Sequence, residues 1–90
     1  MNCDPQLSAF LASQLPAELE LLRQMVGVNS FSANQAGVDA LSRFTAAKFA
    51  DLGFTPDYVP SFNPALGDHL VLTRPGRTGR KLGLISHLDT

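Results

Sequence analysis

The stretch "QAGVDALSRFTAAKFADLGFTPDYVP", residues 35–60, decides the fold, because its apolar period changes partway along. Val38, Leu41, Thr45, Phe49 and Leu52 are spaced 3, 4, 4 and 3 apart. That is one face of an α-helix, predicted over residues 35–52 with Gly53 as its cap. "FTPDYVPSF" then reads as a strand, and Pro56 and Pro60 restrict it to an edge or an irregular position. Upstream, "NSFSANQ" is a polar loop. Ser32 followed by Gln35 matches a capping box, and Asn34 is a competing cap.

Further upstream, "DPQLSAFLAS" places Asp4 as an N-cap and Pro5 at the first helical position, predicting a short helix over residues 5–13. "LPAELELLRQMVGV" predicts a second helix started by Pro16. Leu19, Leu22 and Val26 form its stripe with Met25 beside them, and Glu18 and Glu20 lie in its first turn. Downstream, "NPALG" is a turn. "DHLVLTR" and "KLGLISH" predict a β-hairpin joined by "PGRTG", with Pro75-Gly76 suited to a type II turn. Helices first and strands last give an α/β class chain, α+β-like taken alone.

Ninety residues allow one small domain, which buries roughly 60–65% of its unfolded surface. The composition is globular, 44% hydrophobic and 17% charged, with net charge −1, so no general drive toward nucleic acid or anionic membrane exists. Cys3 is the single cysteine, which excludes an internal disulfide; it is expected to be a thiol without a role. "MNCDPQLSAF" lacks the basic and apolar regions of a signal peptide, and no run approaches the roughly 18 apolar residues of a membrane span. The expected location is the cytoplasm.

"LISHLDT", residues 84–90, carries the chemistry. On a continuing strand Ile85, His87 and Asp89 share one face. Neutral imidazole is a common zinc ligand, and a carboxylate two residues on can orient the ring or support the site. Taken alone, His-x-Asp also describes a polar pair at a solvated strand end.

The longer string "KLGLISHLDT" resembles the zinc-dependent exopeptidases and amidohydrolases that include carboxypeptidase G, acetylornithine deacetylase, aminoacylase and the peptidase-T-like tripeptidases. Their first metal motif is an apolar strand, a small residue and His-x-Asp. Leu82, Leu84, Ile85 and Ser86 precede His87 and Asp89 here. The family's "LxxLVxxxS" helix has its counterpart in "ELLRQMVGVNSFS", and its "LxxLGF" in "AAKFADLGFTPDYV". The resemblance covers about residues 16–90. It implies that residues 1–90 are an incomplete N-terminal portion of a metallopeptidase-like catalytic domain. His87 would ligate one of two zinc ions, and Asp89, a catalytic residue in the sense of tuning that ligand, would orient it. The substrate would be a peptide or an N-acyl amino acid, with the carboxypeptidase-G-like branch favoured.

The family's bridging aspartate, Glu-Glu pair and later ligands have no counterparts among these residues. The 90-residue chain is therefore expected to be inactive by itself. Its last strand is expected to expose an apolar edge that favours self-association. A noncatalytic α+β binding module is the alternative. His69 has no ligand-spaced partner. Arg74, Arg77, Arg80 and Lys81 form a basic cluster read as a solvated turn, since no aromatics interleave for base stacking. Ser30 and Ser32 are read as loop and capping residues. Phe31, Phe44, Phe49 and Phe54 are expected in or near the core.

Overall fold

The computed structural model describes residues 4–90. Cys3 lies outside the described residues. Two helices, α1 (Pro5–Val26) and α2 (Gln35–Ala50), precede two strands, β1 (Thr55–Val59) and β2 (His69–Thr73). The fold is α+β: two helices followed by a two-stranded antiparallel sheet. No helix among the described residues is long and apolar enough to cross a membrane.

α1 starts as expected. Asp4 accepts a hydrogen bond from the Gln6 N–H at 2.8 Å, and Pro5 occupies the first turn, where a missing N–H costs nothing. The expected break before Pro16 is absent, and α1 runs through it as one helix of 22 residues. Pro16 removes one backbone hydrogen bond. The leucines at 7, 11, 15, 19 and 22 keep helical spacing across it, so the apolar stripe stays in phase. Glu18 and Glu20 consequently lie in mid-helix, and no acid stands in the first turn. Glu20 instead holds Arg23 through two bonds, at 2.8 and 2.6 Å.

The same helix turns its expected stripe outward. Leu19, Leu22 and Val26 are exposed, while Leu21 and Met25 are half-buried. Only the last turns of α1 approach the body, where Leu22 and Met25 share a small pocket with Leu41 of α2 and Leu88.

α2 is capped by Asn34, whose side chain accepts from the Gly37 N–H at 3.2 Å. Ser32 is therefore not the cap. The helix ends at Ala50, and Gly53 adopts φ +87°, a left-handed conformation that glycine reaches without strain. The core lies along this helix: Leu41, Ser42, Thr45 and Ala46 are buried, and the Thr45 hydroxyl donates to the Leu41 carbonyl at 2.8 Å. Phe49 and Phe54 meet edge to face at 5.5 Å between centroids. Phe44 and Phe54 are half-buried, Phe49 is exposed at the edge of the core, and Phe31 is exposed and lies outside it.

β1 pairs with β2 in the register Thr55↔Thr73 through Val59↔His69. Pro56 is tolerated because β1 is an edge strand. Pro56, Tyr58, Leu70 and Leu72 alternate inward as half-buried residues, and the Arg43 guanidinium lies 4.8 Å from the Tyr58 ring centre. The loop between the strands is tied to α2: Asp39 accepts from the Asp68 N–H at 2.9 Å, and the Gln35 amide donates to the Pro64 and Leu66 carbonyls.

The hairpin therefore joins residues 55–59 to 69–73, not 69–73 to 81–87. "KLGLISH" forms no strand, and Leu82, Leu84 and Ile85 are 88%, 89% and 102% exposed. An apolar segment becomes a strand only where a sheet edge accepts its backbone and a packed layer covers its side chains. Neither covers this one. The radius of gyration, 15.5 Å, exceeds the roughly 12 Å of a compact domain of this length. The 7575 Å² of accessible surface likewise exceeds the roughly 5,100 Å² of a folded 9.7 kDa monomer.

Candidate functional site

The site grows from the contact of two loops. The segment between α1 and α2 is braced internally. The Asn34 amide donates to the Asn29 carbonyl at 3.0 Å, and the Asn29 side chain accepts from the Phe31 N–H at 3.2 Å. This bracing presents Ser30 and Ser32 to the C-terminal arm. The Thr90 N–H donates to the Ser30 carbonyl at 2.9 Å, and the Ser32 N–H donates to the Thr90 carbonyl at 3.2 Å. Those are the two bonds of a parallel β-bridge around Phe31. Ser30 is buried, and its hydroxyl lies 3.4 Å from that of Thr90.

Side chains add to this strap. The Ser32 hydroxyl donates to Asp89 Oδ2 at 2.6 Å. Asp89 Oδ1 lies 3.5 Å from His87 Nδ1, and the Asp89 carbonyl oxygen lies 2.9 Å from the same nitrogen. A carbonyl only accepts, so the neutral ring carries its proton on Nδ1 and keeps its lone pair on Nε2. The His87 side chain is 81% exposed. The bond from Ser32 holds the Asp89 carboxyl below the usual carboxylate range, against partial desolvation; its own backbone N–H and His87 add smaller lowering effects. Asp89 is thus the charged, ordered member of the pair.

His87 and Asp89 therefore meet, as the spacing predicts, although on an irregular segment and not along a strand face. Ile85 points into open space and shares no face with them. An open groove of about 1570 Å³ separates the arm from Leu70 and Leu72 of β2. It exceeds the roughly 300–1,000 Å³ of a formed ligand pocket. His69 and the basic residues Arg74, Arg77, Arg80 and Lys81 are exposed. Among the described residues no three His, Cys, Asp or Glu side chains gather at metal-ligand spacing.

Ser32 is the residue that sequence reasoning missed. The signal for it is the crowding of two caps, Ser32 and Asn34, at one helix start. Only one can cap α2, and the other is free for a distant partner.

The chain is similar to carboxypeptidase G2 of Pseudomonas sp. (strain RS-16), with 33% identity over 75 residues, 83% of this chain and 18% of that protein. It thus spans less than a fifth of the length of the curated relative it matches. The similarity supports a relation to that hydrolase family. No protein-family model matches the chain. No solved structure matches it.

Proposed function

We propose that residues 1–90 form the N-terminal part of the catalytic domain of a zinc-dependent hydrolase that cleaves peptide or N-acyl amide bonds, of the carboxypeptidase-G-like kind. The observation that supports it most is the pairing of an exposed imidazole with a carboxylate anchored from a distant loop, in a chain similar to a carboxypeptidase. An ordered carboxylate beside a metal-ligating histidine fixes the tautomer and raises ligand basicity. Here the main-chain carbonyl of Asp89 accepts from Nδ1–H at 2.9 Å with the carboxylate beside it at 3.5 Å, which leaves Nε2 of His87 to hold a metal.

The donors present fit one position of a zinc centre. His87 supplies one ligand, and Asp89 supports it from behind. A catalytic zinc takes at least three protein ligands, so the remainder must come from other residues. When bound, zinc lowers the pKa of a coordinated water and polarises the amide carbonyl. The general base of such an enzyme is a glutamate of an adjacent pair. Glu18 and Glu20 are the only glutamates here; they lie on α1, and Glu20 is held by Arg23. The 90-residue chain alone is inactive on this reading.

The test is a chimera in which residues 16–90 of this chain replace the corresponding segment of the Pseudomonas enzyme. The expected result is zinc-dependent release of an amino acid from an N-acyl amino acid, abolished by His87→Gln. A folded chimera that stays active with glutamine at position 87 would overturn the proposal.

A further inference from the structure

The geometry points to Ser32 as a positioning residue whose hydroxyl, acting through Asp89, fixes the imidazole of His87 in its Nδ1–H form. The inference deepens the proposed function and rests on it for its meaning, since it concerns the nitrogen left free for a metal.

Three observations carry it. First, Asn34 takes the helix cap, so the Ser32 hydroxyl is not needed by α2 and is spent on Asp89, 57 residues away, at 2.6 Å. Second, the two oxygens of Asp89 are divided. Oδ2 receives Ser32, while Oδ1 is left 3.5 Å from His87 Nδ1. A carboxylate held at one oxygen cannot rotate the other away. Third, the backbone of the next residue is clamped between Ser30 and Ser32, which fixes the direction of the Asp89 carbonyl that receives Nδ1–H.

Without the hydroxyl, Asp89 is a partly exposed side chain on an irregular arm and samples its staggered rotamers. The imidazole, 81% exposed, then keeps the main-chain carbonyl of Asp89 at 2.9 Å but loses the negative charge held 3.5 Å from Nδ1, and shifts toward the mixture of a free ring, in which Nε2–H predominates. That form presents a proton where the metal would bind. Ser32 therefore acts on ligand readiness and touches neither metal nor substrate.

The chain has two histidines, so their ring nitrogens are separable by nuclear magnetic resonance of the ¹⁵N-labelled 90-residue protein, without metal. Spectra are taken at about pH 8, where a free imidazole is neutral. Exposed His69 on β2 serves as the internal reference for a free ring. The wild-type chain is expected to show His87 protonated at Nδ1 and His69 predominantly at Nε2. Ser32→Thr keeps the hydroxyl, and Ser32→Val replaces it with a methyl of the same shape. Threonine is expected to retain the Nδ1–H form, and valine to shift toward the His69 pattern. Amide shifts of β1 and β2 verify that both variants fold, and Ser32→Ala replaces a valine variant that does not. A wild-type His87 indistinguishable from His69 would overturn the inference, as would threonine and valine variants that behave alike. These readouts are independent of the chimera: loss of the proposed zinc role would leave the tautomer result intact, and the reverse holds equally.

Discussion

Replacing Leu41 by alanine, beside the same replacement at Leu19, separates two leucines that occupy equivalent stripe positions in their helices. Leu41 is 3% exposed on the inner face of α2, and Leu19 is 56% exposed on α1. Leucine to alanine removes three carbons, worth about 2.4 kcal/mol at full burial. At position 41 the cavity adds to this, placing the loss in the measured range of about 2–5 kcal/mol. At position 19 less than half of the transfer term applies, so about 1 kcal/mol is lost, partly offset by the better helix propensity of alanine. A chain of this length has about 5–13 kcal/mol of stability in all. Its large exposed surface argues for the lower part of that range, so Leu41→Ala removes at least about a quarter of the total and up to most of it. The assay is urea unfolding followed by far-ultraviolet circular dichroism. Leu41→Ala is expected to lower the midpoint by roughly 1–2 M and Leu19→Ala by well under half as much. Equal losses would refute the placement of the core on α2 and the outward turn of the α1 stripe.

Gly37→Ala would drive a Cβ into the Asn29 carbonyl oxygen and the Asn34 amide, so it is expected to unseat the 27–34 loop, read as lost protection of the Ser32 and Thr90 amides in hydrogen exchange. The Asp89 carboxyl is depressed in the folded chain, so its contribution to stability is complete above the unfolded aspartate value of about 3.9 and is lost as pH falls through the lower folded value. Asp89→Asn is expected to flatten that acid limb of the unfolding curve; an unchanged limb would place the titration elsewhere. Leu82, Leu84 and Ile85 are expected to draw copies of the chain together. Sedimentation should therefore show association that Leu84→Glu reduces, and a wild-type monomer at all concentrations would contradict this.

Where sequence and structure agree, a local rule decides the outcome. Asp4 before Pro5 starts α1, the 3-4-4-3 spacing makes α2, and Pro56 marks an edge strand, because each depends only on neighbours within a turn. Where they differ, the deciding partner is distant or missing. Pro16 is absorbed because the leucines on both sides stay in phase, which a rule for proline alone does not register. "KLGLISH" has the composition of a strand, but no sheet edge receives it. Phe31 is apolar yet exposed, because its loop is clamped through the backbone on either side of it. The His87–Asp89 pair was legible from spacing and resemblance. Its anchor was not, since the Ser32–Asp89 bond spans 57 residues and no periodicity connects them.

On the proposed function, His87 holds a metal in a hydrolase whose catalytic domain these residues begin. The decisive measurement is the zinc content of the purified chimera, by atomic emission after dialysis. His87→Gln is expected to lower the zinc bound per chain relative to the unsubstituted chimera, while His69→Gln leaves it unchanged; equal zinc in the folded His87→Gln protein would overturn the metal role of His87.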